Sequence, residues 1–268
     1  MPIQRYNEFN PTFENISFGD VKTSPSGAKS VYVSMNGEQL TIQSPKMYVP
    51  YGVNRSKYGE PGSQNGRPTL EVSFRNISND DKLKLFHSKI KAFEEIIKNG
   101  LKSCSQSWMK KKKLSSEMIN EIFKSGIRQS RDENGEPNDK FPDTFRLKLK
   151  TNEENVVLDH HLQIYNRKTK KLMNLDEFTK SKGLKGYEIK FIAKVSGIWI
   201  GSANIGCNWI VSQISVYPND RDARSYGFIN TSDEEEEDED EDEDEEKMET
   251  EIEAGGCKTT SKIGRAHV

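Results

Sequence analysis

Tyr48, Tyr51 and Tyr58 are interleaved with Lys46, Arg55, Lys57 and Arg67, and farther along Trp199 and Trp209 follow Lys190 and Lys194. Flat aromatic faces set among cations can stack bases and meet phosphates. Stacking contributes about 1–3 kcal/mol per base, and each phosphate contact adds salt-dependent affinity. A third set, Arg146, Lys148 and Lys150, alternates with Phe145, Leu147 and Leu149, so a strand there would turn apolar residues inward and a ladder of cations outward. Plainer roles compete with these. Trp199 is flanked by isoleucines, the usual surroundings of a core residue. Trp209 falls by simple alternation on the face opposite Ile210, Ile214 and Val216, which leaves it open to stacking unless a helix covers it. Lys110 to Lys113 form a charge run that fits phosphate contact, a nuclear-import patch or a solvated surface.

The charge of the chain is divided. Residues 1–231 carry a net charge of +11 and residues 232–268 one of −13, which together give the −2 of the whole. Carboxylates run unbroken from Asp233 through Glu234, Glu239 and Asp240 to Glu246. They repel one another and offer nothing apolar to bury, so 232–262 is expected to be a disordered polyanion. Tethered to a basic body, it would visit any groove shaped for phosphates. The last residues, 263–268, resemble one reading frame of a sequencing adapter and are set aside as an artefact.

Other chemistry is poorly supported. Asp159-His160-His161 matches one short motif of a phosphoesterase family, but the further aspartate motifs and parallel α/β scaffold that family needs are missing. The sequence shows no glycine-rich phosphate loop, nucleophile elbow or spaced metal ligands, and so points to no catalysis and no cofactor. Three distant cysteines suggest neither a disulfide framework nor a zinc site. No apolar run is long enough for a membrane span and no signal region opens the chain, so a soluble intracellular protein is expected, in the cytoplasm or nucleus.

The elements that must position these side chains are mainly strands. Val31, Val33 and Met35 alternate before a turn at Gly37, and Leu40 and Ile42 follow, which predicts a hairpin. Leu70, Val72 and Phe74 mark a third strand. Pro45 and Pro50 place Tyr48 and Tyr51 at a sheet edge or in a loop. Leu83, Phe86, Ile90, Phe93 and Ile97 recur at helical spacing, with Asn79 as cap and Gly100 as stop. A second helix is expected over Ser116–Lys124, and strands return near 145–150, 162–164, 187–195, 197–201 and 210–217. Strands, a helix pair over about 79–126, then strands again is the order of an OB-fold. The predicted class is mainly β (α+β), an enlarged OB-like barrel over 1–231 with a helical insertion; a two-sheet sandwich fits the same pattern.

Ser44-Pro45-Lys46-Met47-Tyr48-Val49-Pro50-Tyr51-Gly52-Val53, together with Gly197-Ile198-Trp199 and Gly206-Cys207-Asn208-Trp209-Ile210-Val211-Ser212-Gln213, resembles proteins of large nucleocytoplasmic DNA viruses of algae and protists. That group is similar to the acidic-tailed, OB-fold single-stranded-DNA-binding protein of short-tailed phages. The resemblance implies a tail that fills the groove when DNA is absent and, once displaced, recruits a polymerase or helicase. The phage tail closes on an aromatic residue. Here none follows the acidic run, and the nearest is Phe228 on the body side.

The expectation is a non-catalytic single-stranded-DNA-binding protein of replication, recombination or repair, using Lys46, Tyr48, Tyr51, Arg55, Lys57, Arg146, Lys148, Lys190, Lys194, Trp199 and Trp209. The alternative is a histone or basic-protein chaperone, against which the positive surplus of the body counts. No sequence feature separates DNA from RNA or sets an oligomeric state.

Overall fold

Helix α1 (Asp81–Met109) organises the core. Asp80 rather than Asn79 caps it, its carboxylate accepting from the backbone N–H groups of Lys82 and Leu83. The expected stripe of Leu83, Phe86, Ile90, Phe93 and Ile97 is buried as the spacing required. Gly100 does not end the helix. A Cβ at that position would come within 2.5 Å of the Phe18 ring, so the glycine serves close packing, and the helix runs on to bury Leu101, Ser105 and Trp108. The helix ends at Lys110, which takes the left-handed conformation usual at helix ends.

The computed structural model describes residues 2–218 apart from 26, 56–65, 111–113, 133 and 180–182. Lys57, Tyr58, most of the lysine run, and the carboxylates Asp233, Glu234, Glu239, Asp240 and Glu246 lie outside the described residues.

Before α1 come β1 (Gln4–Arg5), β2 (Ile16–Thr23), β3 (Lys29–Met35), β4 (Glu38–Gln39), β5 (Thr41–Gln43), β6 (Met47–Tyr48), β7 (Val53–Asn54) and β8 (Thr69–Ser73). After it come α2 (Ser116–Ile122), β9 (Phe123–Lys124), β10 (Ile127–Arg128), β11 (Thr144–Leu149), β12 (Gln163–Asn166), α3 (Leu175–Thr179), β13 (Glu188–Ile200) and β14 (Ile205–Tyr217). Ser115 caps α2, and Phe123, expected inside that helix, leaves it to pair beside β14.

The expected closed barrel is not formed. Among the described residues the strands make one branched, mixed sheet that follows the path β1-β5-β13-β6-β8-β11-β14-β12, with further strands branching from it. β13 and β14 also pair with each other, but a ring drawn through them is held at β6–β8 by the single pair Tyr48–Ser73 and at β11–β14 by two pairs. Two causes are visible. Pro45 and Pro50 limit β6 to two residues, and β13 is long enough to pair in turn with β6, β5 and β3 along one side. β6 is also not at an edge, since it pairs on both sides. The result is a mixed α+β sheet with α1 on its apolar face, where Phe86 and Phe93 meet Phe145, Phe191 and Trp209 at 5.6–6.4 Å between ring centroids.

Candidate nucleic-acid interface

The face of the sheet turned away from α1 can be built row by row from the strand register. In the first row Tyr48 of β6 pairs with Glu188 of β13, and Glu188 with Tyr217 of β14. In the second, Lys190 pairs with Ser215, and Ser215 with Tyr165 of β12. The third runs Gln43, Ile192, Gln213, Gln163 across β5, β13, β14 and β12. The fourth sets Lys194 and Lys148 on either side of the half-buried Ile210. Cross-strand partners share a face, so these residues form one surface.

Alternation produces this surface, and irregularities between β13 and β14 adjust it, one in each strand. β11 reads half-buried, buried, half-buried along its length, placing Arg146 and Lys148 outward opposite Phe145, Leu147 and Leu149. In β14 the register slips between Gln213 and Val211, leaving Ser212 as the extra residue of a β-bulge. Gln213, Ser215 and Tyr217 therefore share the outer face with Ile210, whereas Trp209, Val211, Ile214 and Val216 all turn inward.

This slip corrects the reading of Trp209. It is 1% exposed and packs edge-on against Phe93 and Phe145, so it is a core residue and leaves the set of stacking candidates. Tyr48 is half-buried, with the Arg75 guanidinium 3.6 Å from its ring centre. Lys46 bonds Glu188 at 2.6 Å and lies 5.4 Å from the Tyr217 ring, which Arg167 also approaches at 5.9 Å. Glu188 is thus shared by Lys46 and Arg75, and it leaves a local cationic surplus.

Tyr165 donates its hydroxyl hydrogen bond to Gln163, which also accepts from Gln213. This chain of bonds fixes the tyrosine at the side of a shallow hollow bordered by Arg167, Lys190 and Gln43. No carboxylate among the described residues forms an ion pair with Lys148, Lys190 or Lys194. Burial, then Arg146 and Arg67, hold the Lys148 ammonium below the usual lysine value. Arg146 feels burial first and then the repulsion of Arg128, partly offset by Glu71. His161 lies below the ordinary imidazole value through burial, then His160, Lys150 and Lys194. Burial is the larger cause in each case, and the smaller repulsion from neighbouring cations is what a bound anion would relieve.

The other predicted residues lie apart from these rows. Tyr51 is 60% exposed in the turn after β6. Arg55 donates to the carbonyl of Asn155 and borders a separate hollow with Asp176. Trp199 is half-buried near the far end of β13. Sequence reasoning missed Arg75, Tyr165, Arg167 and Tyr217 as site residues. Tyr217 could have been found, since simple alternation already sets it opposite Ile214 and Val216; Tyr165 becomes visible only once β12 is seen to pair with β14. Among the described residues no group of three or more His, Cys, Asp or Glu is placed to hold a metal ion, and no helix is long and apolar enough to cross a membrane.

No protein-family model matches this chain, and no curated protein does. Similar solved structures include the single-stranded DNA-binding protein from bacteriophage Enc34 in complex with single-stranded DNA, at 11% identity and a TM-score of 0.41 over 76% of this chain and 96% of that one. A C-terminal truncation of the same phage protein gives 9% and 0.40 over 76% and 94%. A single-stranded DNA-binding protein encoded by bacteriophage T7 gives 11% and 0.37 over 71% and 98%. Superpositions this loose describe a general likeness and carry neither residue correspondence nor function to this chain.

Proposed function

We propose that the outer face of the sheet, across β6, β13, β14, β11 and β12, binds single-stranded DNA without catalysis, bases stacking on Tyr48, Tyr165 and Tyr217 while Lys148, Lys190, Lys194 and Arg167 meet phosphates. The observation that carries this reading is the pairing of Lys194 and Lys148 across Ile210, two rows from Lys190 and Tyr165, with no carboxylate among the described residues neutralising the three lysines. Ring faces and cations on one surface are what a single strand requires, and neither depends on base identity. The acidic run from Asp233 to Glu246 carries the same charge as that strand, so it competes for the face and, when displaced, is free to recruit a polymerase or helicase during replication, recombination or repair.

One titration series tests this. Labelled oligo-dT is bound by the full chain, by Lys190→Glu/Lys194→Glu, and by a chain ending at residue 231. The double variant should bind at least tenfold more weakly, with a salt dependence shallower by about 0.7 per lost phosphate contact. Ending the chain at 231 should strengthen binding and steepen its salt dependence. Unchanged affinity in the double variant refutes the face. If the shortened chain binds DNA no better but no longer captures histone, the anionic segment serves basic proteins instead.

A further inference from the structure

The outer face does not stop at Lys194. Along β14, Gly206, Asn208 and Ile210 alternate onto it, and the pairing of Trp199 with Gly206 and of Gly206 with Lys124 adds a last row. That row borders a cleft of about 860 Å³. We infer that this cleft is a second anchoring subsite for the same strand, holding one base against Trp199 and the flanking phosphates on Lys124, Arg128 and Arg131.

The fold builds a platform here. A Cβ on Gly206 would come within 2.9 Å of the Trp199 ring and 2.8 Å of the Lys124 carbonyl, so the glycine lets the indole lie against the β14 backbone. Gly201 lies under another edge of the ring. Supported from behind, the indole remains half-buried and borders the cleft. An isoleucine or leucine there would fill the same space with no flat surface to offer.

Charge and hydrogen bonding complete the site. Lys124, Arg128 and Arg131 are exposed and border the cleft with Gln129 and Asn204, whose amides could read a base edge. Lys124 is tied to the Glu121 carbonyl and Arg131 to that of Gly135, contacts that hold the cations without neutralising them. Arg128 leans toward Glu71 at 3.8 Å, and Glu121 is the one carboxylate among the described residues lining the cleft. Arg128 pairs with Thr144 on β11, the strand of Arg146 and Lys148, so cations continue from one region to the other.

From Tyr217 to Gly206 the track follows β14 for about 36 Å at the usual rise per residue. A strand held at both ends therefore has a length threshold. This inference rests on the proposed function, and oligo-dT of about 5 and about 12 nucleotides, within the usual span of single-strand sites, separates the two. With the full chain, Trp199→Ala and Lys124→Glu/Arg131→Glu should each weaken the longer oligonucleotide about tenfold and leave the shorter within twofold. Lys190→Glu/Lys194→Glu should weaken both. The charge pair is exposed and decides the matter even if Trp199→Ala fails to fold. Unchanged binding of the longer strand by that pair, or equal loss for both lengths, overturns the second subsite and leaves the tyrosine face standing. Failure of both lengths to bind the unaltered chain overturns both proposals.

Discussion

Tyr165 and Trp209 lie on adjoining strands and turn opposite ways. Tyr165 is half-buried on the outer face, with its hydroxyl bonded to Gln163, whereas Trp209 is enclosed by Phe93 and Phe145. Truncating each should therefore separate binding from stability. Trp209→Ala should lower unfolding free energy by about 3–5 kcal/mol, as for other buried large side chains, while its folded fraction binds oligo-dT normally. Tyr165→Ala should cost binding about 1–3 kcal/mol, the worth of one stacked base, with little change in denaturant midpoint. The reverse pattern, weak binding from Trp209→Ala and instability from Tyr165→Ala, contradicts the placement of the two rings. The alternation of Phe145, Leu147 and Leu149 with Arg146 and Lys148 was legible in the sequence because nothing interrupts β11. Trp209 was not, because a one-residue bulge at Ser212 reverses the phase of everything beyond it and leaves no compositional mark.

At the level of elements, α1 and the β9–β10 turn are joined by one buried carboxylate. Glu94, 5% exposed, accepts from Ser125 Oγ at 2.6 Å and from the Gly126 N–H at 2.7 Å, fixing the turn that borders the Trp199 cleft. Burial raises its pKa, and the bonds from Ser125 and Gly126 and the charge of Lys98 oppose the rise only in part. The folded chain then binds a proton there more tightly than the unfolded chain does. Stability contributed by this group is present at low pH and falls as pH climbs from the unfolded value near 4.3 through the raised folded one. Glu94→Gln should flatten that part of the profile of denaturant midpoint against pH; superimposable profiles contradict it. Such a link could not be read from the sequence. Glu94 looks like any helical glutamate until Gly126 is brought against it, just as Gly100 looked like a stop before Phe18 was seen to press on it. α1, α2 and most of the longer strands were legible from periodicity, whereas β2 and most of the two-residue strands were not. The barrel was wrong because strand order does not reveal how many pairs join neighbours, and β6 and β8 share only one.

For the whole molecule, the sheet divides the labour between its faces. One face is apolar and carries α1; the other collects cations and half-buried rings, and no carboxylate among the described residues forms an ion pair with its Lys148, Lys190 or Lys194. Along the chain the charge is divided too, +11 over 1–231 against −13 over 232–268. Phosphates would relieve the repulsion that Lys148 and Arg146 bear, which ties the fold's cost to the ligand's gain. The central claim is that a single strand lies on this outer face, and photo-crosslinking tests it most directly. Oligo-dT carrying 5-iodouracil, irradiated with the full chain and mapped by mass spectrometry, should attach to Tyr48, Tyr165 or Tyr217, with Trp199 joining for longer strands. Attachment confined to Tyr51 or to other rings away from the outer face would contradict it.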